Sequence, residues 1–137
     1  MGVILDSSVT IRAERRKLSP PKLLREITVL VGDQTVGLSS IGVTEIVHGI
    51  YRADSSDRSA YRRIFLEELL RDLPVYDYTI EVAHLAGRID GEQQKIGNTI
   101  PLVDLMIGAT ALHAGFSLVT CNVRHFRMIP NLNVIPF

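Results

Sequence analysis

The chain has 137 residues, of which 46% are hydrophobic and 22% charged, and it carries 15 Lys plus Arg against 15 Asp plus Glu. This size predicts a single domain spanning residues 1–137, and the equal numbers of charges exclude a whole-molecule field that would draw the protein to nucleic acid or membranes. The lone Cys121 excludes an internal disulfide, and the absence of a long apolar run predicts a cytoplasmic protein with no membrane partner.

The predicted elements alternate between strands and helices along the whole chain. Strands are expected at 2–5, 35–38, 73–76, 116–120 and 132–135. Helices are expected at 8–16, from 20 through 27, from 39 to 53, from 57 through 70, from 79 through 89, from 101 to 114 and at 123–127. Apolar strands alternating with helices predict an α/β fold whose parallel sheet is covered on both faces.

Several helix starts are marked by residues that favour this position. Ser39, Asp57 and Thr79 are expected to cap the helices that follow them, because their side-chain oxygens can accept backbone N–H groups. Pro101 is expected in the first turn of its helix, where a missing N–H costs nothing.

Three acidic residues lie beside the most apolar segments. Asp6 closes the first strand, Glu45 lies in an apolar helix, and Asp104 follows the apolar start of another helix. Carboxylates are rarely buried unless they are paired or bind a cation. Ligands of parallel sheets bind beyond the carboxyl ends of the strands, where Asp6 and Asn122 are expected. The pattern therefore predicts one acidic pocket that holds a hard divalent cation, magnesium or manganese.

Four segments resemble, in order, the motifs of PIN domains, and specifically of the VapC toxins of bacterial toxin–antitoxin pairs. They are residues 3–9, 39–46, 100–111 and 115–126. The resemblance covers the whole chain and implies a three-layer α/β/α PIN-like domain with a parallel central sheet.

The resemblance also implies an activity, a metal and partners. It implies a metal-dependent endoribonuclease that is silenced by a cognate VapB-like antitoxin and forms a homodimer. Asp6, Glu45 and Asp104 take the places of the catalytic acids, with Mg²⁺ or Mn²⁺ on Asp6 and Asp104 and an attacking water positioned or deprotonated by Glu45. The expected substrate is single-stranded or looped RNA, because the cleaved phosphodiester must reach a recessed site.

The fourth acidic position of the family departs from its usual pattern. Asn122 stands where many relatives have aspartate, and the nearby position that can also be acidic is His125. The formal charge of the site is then about −3 rather than about −4, which predicts weaker binding of a second metal. A catalytically impaired PIN module that binds RNA or protein stays open as the alternative function.

Hydroxyl and basic residues near these motifs have expected supporting roles. Ser7, Ser8, Thr120 and Asn122 are expected to orient the carboxylates or the substrate. The expected RNA contacts are Arg12, Arg15, Arg16, Lys17 and Arg124. Arg127 could extend this set of contacts. The alternative for the cluster at 12–17 is a solvated helix end.

Other interpretations of the same residues stay open or are weak. Asp6 could be a helix cap only. Glu45-x-x-His48, with Glu81-x-x-His84, matches a di-iron bundle motif, but the predicted strands contradict a bundle. A phosphatase of the haloacid dehalogenase type would need a carboxylate where Ser8 stands. A last group forms either core or a partner surface, namely Tyr51, Tyr61, Phe65 and Leu69.

Overall fold

The computed structural model describes residues 1–137 as five strands and seven helices in the predicted order. The strands are β1 Gly2–Leu5, β2 Thr35–Ser39, β3 Val75–Tyr76, β4 Ser117–Thr120 and β5 Val134–Pro136. The helices are α1 Ser7–Arg15, α2 Pro20–Val31, α3 Ser40–Tyr51, α4 Ser56–Asp72, α5 Ile80–Lys95, α6 Leu102–His113 and α7 Val123–Phe126. None of these helices is long and apolar enough to cross a membrane.

The five strands form one parallel sheet in the order β3-β2-β1-β4-β5. Ile4 pairs with Gly37 on one side and with Leu118 on the other, so β1 is buried between two strands. Alternate residues of β1 enter separate cores: Ile4 packs in the core of α5 and α6, whereas Val3 and Leu5 pack in that of α1, α2 and α4. The predicted α/β fold with a covered parallel sheet is confirmed.

The central position of β1 determines where a ligand can bind. From β1 the chain passes to β2 on one side, and it later returns to β4 on the other side. The carboxyl end of β1 is therefore the point where the direction of strand addition reverses, which is where open parallel sheets bind ligands. Asp6 follows β1 at this point, and Thr120 ends the neighbouring strand β4.

The helix starts agree with the predicted caps in two cases and differ in two. Ser39 and Thr79 accept backbone N–H groups as predicted. The prediction for Asp57 is wrong, because the side chain of Ser55 caps α4 and Asp57 lies in its first turn, where its charge favours the positive end of the helix dipole. Pro101 directly precedes α6 instead of lying within its first turn.

The group that could have been either core or surface is divided between the two. Phe65 and Leu69 are buried in the core, whereas Tyr51 is 78% exposed and Tyr61 is 39% exposed. Of this group, the two tyrosines are therefore the members that lie at the surface.

A close approach fixes α6 against the segment that follows α7. A Cβ atom at Gly108 would overlap Cδ1 of Ile129, which is itself buried. Phe126, the last residue of α7, is also fully buried. The glycine thus lets α6, which carries Asp104 one turn earlier, pack directly against the α7 region.

Candidate active site

Asp6 is a buried carboxylate held by two hydroxyl groups. It is only 4% exposed, and its Oδ2 atom accepts hydrogen bonds from Ser8 Oγ at 2.7 Å and from Thr120 Oγ1 at 2.8 Å. Asp6 occupies the position before α1, but its side chain makes no capping bond to the helix. The interpretation of Asp6 as a side-chain cap is therefore wrong, and the two hydroxyls account for only one of its oxygens.

Glu45 lies in the middle of α3 and is half-buried. Its Oε1 atom accepts a hydrogen bond of 2.7 Å from Ser7 Oγ, the first residue of α1. Burial raises the pKa of Glu45, the Ser7 hydroxyl opposes this, and the negative charges of Asp6 and Asp104 raise the pKa further. Glu45 therefore shares one electrostatic environment with both aspartates.

Asp104 lies in the first turn of α6 and is paired with a histidine. Its Oδ2 atom is 2.8 Å from Nδ1 of His125 on α7, and its side chain is 19% exposed. Burial raises the pKa of Asp104, the His125 hydrogen bond opposes this, and the charge of Asp6 raises it. The sequence marked His125 only as a position that can be acidic, so this pairing was missed.

A common arrangement unites the three carboxylates. Each has one oxygen held by a hydroxyl or imidazole group, while the other oxygen makes no hydrogen bond within the chain. No three His, Cys, Asp or Glu side chains form a ready cluster around one ion. The donors still fit Mg²⁺, because this ion is usually held by one or two carboxylates and keeps several waters.

The remaining hydroxyl and amide residues differ in what they touch. Ser7, Ser8 and Thr120 contact carboxylates directly. Asn122 is exposed, and only its backbone is engaged, since its N–H donates to Thr120 Oγ1 at 2.9 Å. The Asn122 side chain neither caps α7 nor contacts a carboxylate.

Two of the predicted RNA-contacting arginines are already bound within the chain. Arg16 donates two hydrogen bonds to Glu26, and Arg12 donates one to the backbone oxygen of Phe137 at 2.7 Å. Arg15, Lys17 and Arg124 are exposed. Of these three, Arg124 is the nearest in sequence to a residue that contacts a carboxylate, because it directly precedes His125 in α7.

A groove of about 530 Å³ opens beside Glu45 between α1, α3 and α4. Its apolar lining consists of Ile11, Ile46, Tyr61, Phe65 and Val103. One wall is held by Arg62, which binds Glu14 at 2.8 Å and the backbone oxygen of Gly49 at 2.6 Å. The acidic site is thus continuous with an apolar surface.

Comparison with known proteins finds a family and relatives that match nearly the whole chain. Residues 3–131 match the family model described as PIN domain. The chain is 30% identical over 135 residues to ribonuclease VapC1 of Rickettsia felis, covering 98% of this chain and 96% of the relative. It resembles the solved structure of VapBC2 from Rickettsia felis bound to a promoter DNA fragment, with a TM-score of 0.83, 23% identity and coverage of 100% and 99% of the two chains. For DNA-bound VapBC from Salmonella typhimurium, the TM-score is 0.82, the identity is 25% and the coverage is 99% and 98%.

The two solved structures share the overall fold of this chain, whose sheet has five parallel strands. The matched region spans nearly all of the domain, from β1 to the segment before β5. The chain belongs to the PIN-domain family, and within that family to the VapC proteins.

Proposed function

We propose that the protein is a metal-dependent endoribonuclease that acts as the toxin of a toxin–antitoxin pair. The observation that carries this proposal is the arrangement of Asp6, Glu45 and Asp104, each held on one oxygen and free on the other. The relative from Rickettsia felis is named a ribonuclease, which supports RNA as the substrate.

Asp6 and Asp104 are the residues that would hold Mg²⁺, or alternatively Mn²⁺. Their free oxygens are hard donors, and magnesium prefers such donors. When bound, the ion supplies stabilisation for negative charge on the phosphoryl oxygens. The hydroxyls of Ser8 and Thr120 keep Asp6 in one orientation, so that its free oxygen is already aimed before the ion arrives.

Glu45 is suited to position the attacking water and to accept a proton from it. Burial raises the pKa of its carboxyl group, which makes the carboxylate a stronger base than an exposed one. The hydrogen bond from Ser7 occupies Oε1 and leaves Oε2 for the water. Proton transfer to Glu45 would accompany attack on the phosphorus.

The proposed substrate is single-stranded or looped RNA. Asp6 is 4% exposed, so a phosphodiester must leave a regular helix to approach it. Arg124, Arg15 and Lys17 are exposed cations that would contact phosphates on either side of the cut. Such contacts position the backbone and add no base preference.

The proposed partners are a VapB-like antitoxin and a second copy of the chain. Both solved structures named above contain VapBC assemblies, which supports an antitoxin partner. The apolar groove beside Glu45 offers this antitoxin a surface that leads to the carboxylates. An antitoxin arginine near Asp6 and Asp104 would inhibit by replacing the metal with a fixed cation.

The proposal is tested by incubating antitoxin-free protein with total RNA in magnesium, in manganese and in a chelator. We expect cleavage that requires the metal. Asp6→Asn and Asp104→Asn should each reduce cleavage by more than the roughly 10–100-fold caused by loss of an outer-shell partner. Both variants should abolish growth arrest while remaining folded, because mutual repulsion decreases.

Two outcomes would contradict this function. Cleavage that persists in the chelator would exclude a metal-dependent mechanism. Full cleavage by Asp104→Asn would exclude a catalytic role for the Asp104 carboxylate. A folded protein that binds RNA or protein but never cuts RNA would instead be the impaired PIN module that Asn122 suggests.

A further inference from the structure

We propose that His125 is a positioning residue that holds Asp104 in the orientation needed to bind the cation. This inference rests on the proposed function and deepens it. In place of a further acidic ligand, the chain has a side chain that donates to an existing one. Cation binding would then depend on the fixed orientation of Asp104, whereas the resemblance leads one to expect a fourth carboxylate.

The first support is the hydrogen bond between α6 and α7. His125 Nδ1 lies 2.8 Å from Asp104 Oδ2, within the range of charge-assisted bonds. An ionised carboxylate can only accept, so the hydrogen must be on Nδ1. The bond therefore occupies Oδ2 and leaves Oδ1 as the oxygen that can face a cation.

The second support is the rigidity of the short helix that carries His125. Phe126, the next residue, is fully buried, and Ile129 follows it into the same core. Gly108 permits α6 to pack directly against Ile129. The backbone of His125 is therefore fixed against the helix of Asp104, and the histidine needs no loop movement to reach the carboxylate.

The third support is that the same segment also holds Asp6. Thr120 Oγ1 donates to Asp6 Oδ2, and Asn122 N–H donates to that Thr120 oxygen. Residues 120–125 thus contact both aspartates, one through Thr120 and one through His125. A segment that fixes both proposed ligands also fixes their separation.

The test uses three substitutions that separate the two ring nitrogens. Asparagine can place an amide N–H near the position of Nδ1, whereas glutamine places it near that of Nε2. We expect His125→Gln and His125→Ala to raise the Mg²⁺ or Mn²⁺ concentration for half-maximal thermal stabilisation by about 10–100-fold. His125→Asn should stay within about threefold of wild type, because the donor to Oδ2 is retained.

This measurement needs no RNA, so it is independent of whether RNA is the substrate. Equal losses in the asparagine and glutamine variants would overturn the role of Nδ1. Two results would overturn the inference as a whole. One is an unchanged affinity of His125→Ala for Mg²⁺ or Mn²⁺, and the other is a melting temperature of the wild-type protein that neither ion changes. If the protein shows the expected metal pattern but cuts no RNA, the positioning role stands and the proposed nuclease activity fails.

A spectroscopic measurement on the metal-free wild-type protein guards against variants that do not fold. Nitrogen NMR of ¹⁵N-labelled histidine should show hydrogen on Nδ1 of His125. Asp104→Asn should remove this preference, since an amide can donate to the ring as well as accept from it. A neutral ring with its hydrogen on Nε2 and none on Nδ1 in the wild-type protein would contradict the proposed bond.

Discussion

Ser7 Oγ donates a hydrogen bond of 2.7 Å to Oε1 of Glu45, although 38 positions separate the two residues. Ser7 begins α1 after β1, and Glu45 lies in α3 after β2, so the bond joins the helices that follow two adjacent strands. A donor to the ionised form lowers a carboxyl pKa, and Ser7 thus opposes the effect of burial on Glu45. Ser7 therefore orients Glu45 and partly offsets the rise in its pKa that burial causes.

Replacement of Ser7 by alanine should reduce cleavage at neutral pH by about 10–100-fold, because Glu45 loses its orienting donor. The pKa of Glu45 should rise further, so the acidic limb of the pH–rate profile should move to higher pH. Thr10→Ala is the matched control, since Thr10 donates to the backbone oxygen of Ser7 and touches no carboxylate. Equal effects of the two substitutions would contradict a specific role for the Ser7 hydroxyl.

The free energy of unfolding of the metal-free protein should fall as the pH rises through the titration of Glu45 and Asp104. Burial raises both pKa values above those of an unfolded chain, which are roughly 4.3 and 3.9. In this window the folded protein binds more protons than the unfolded chain, so raising the pH favours unfolding. The stabilising contribution is complete below the unfolded pKa values and is lost above the folded ones.

Denaturant unfolding in a chelator, from about pH 4 to pH 7, measures this decline. Glu45→Gln combined with Asp104→Asn should flatten it, because neither residue then titrates. Millimolar magnesium should restore stability to the wild-type protein at the upper end of the range. A double variant that declines as steeply as wild type would assign the effect to other groups.

Asn122→Asp should strengthen metal binding if the loop after β4 faces the site. A unit charge added within about 4 Å of a divalent ion contributes about 2 kcal/mol in water, or roughly a thirtyfold lower magnesium midpoint. Asn133→Asp is the control, since Asn133 precedes β5 at the amino ends of the strands, whereas Asn122 follows β4 at their carboxyl ends. If both variants titrate like wild type, Asn122 is only a turn residue whose backbone bonds to Thr120.

Gly108→Ala should destabilise the fold by about 1–3 kcal/mol, because its methyl group would overlap the buried Ile129. Gly87→Ala is a matched control in α5, where the added atom meets nothing within 4 Å. That control should gain about 0.5–1 kcal/mol from the better helix propensity of alanine. Denaturant unfolding of both proteins measures the difference, and equal stabilities would disprove the close approach.

The predictable features are those that depend on neighbouring residues in the chain. Apolar runs identified every strand, and Ser39 and Thr79 identified helix starts, because patterning and capping are local. Asp57 misled because Ser55, two positions earlier, has the same capping chemistry. Propensity does not distinguish such neighbours.

Contacts between distant parts of the chain explain what the sequence could not predict. Asp104 and His125 are 21 positions apart, and their pairing depends on how α6 packs against α7. Arg16 fits a basic cluster in the sequence, but the fold brings Glu26 to it. The placement of Asp6 beyond β1 was predictable because it requires only a parallel sheet.

The position of Thr120 and His125 late in the chain has a consequence for synthesis. A ribosome releases Asp6 and Asp104 before Thr120 and His125, which complete their hydrogen bonds, and the central strand β1 lacks its partner β4 until residues 117–120 emerge. We expect chains whose residues 117–125 have not yet emerged to carry both aspartates without their full set of hydrogen bonds and to cut no RNA. Emergence of residues 117–125 would then be the step that allows cleavage, which leaves time for an antitoxin made nearby to bind the chain.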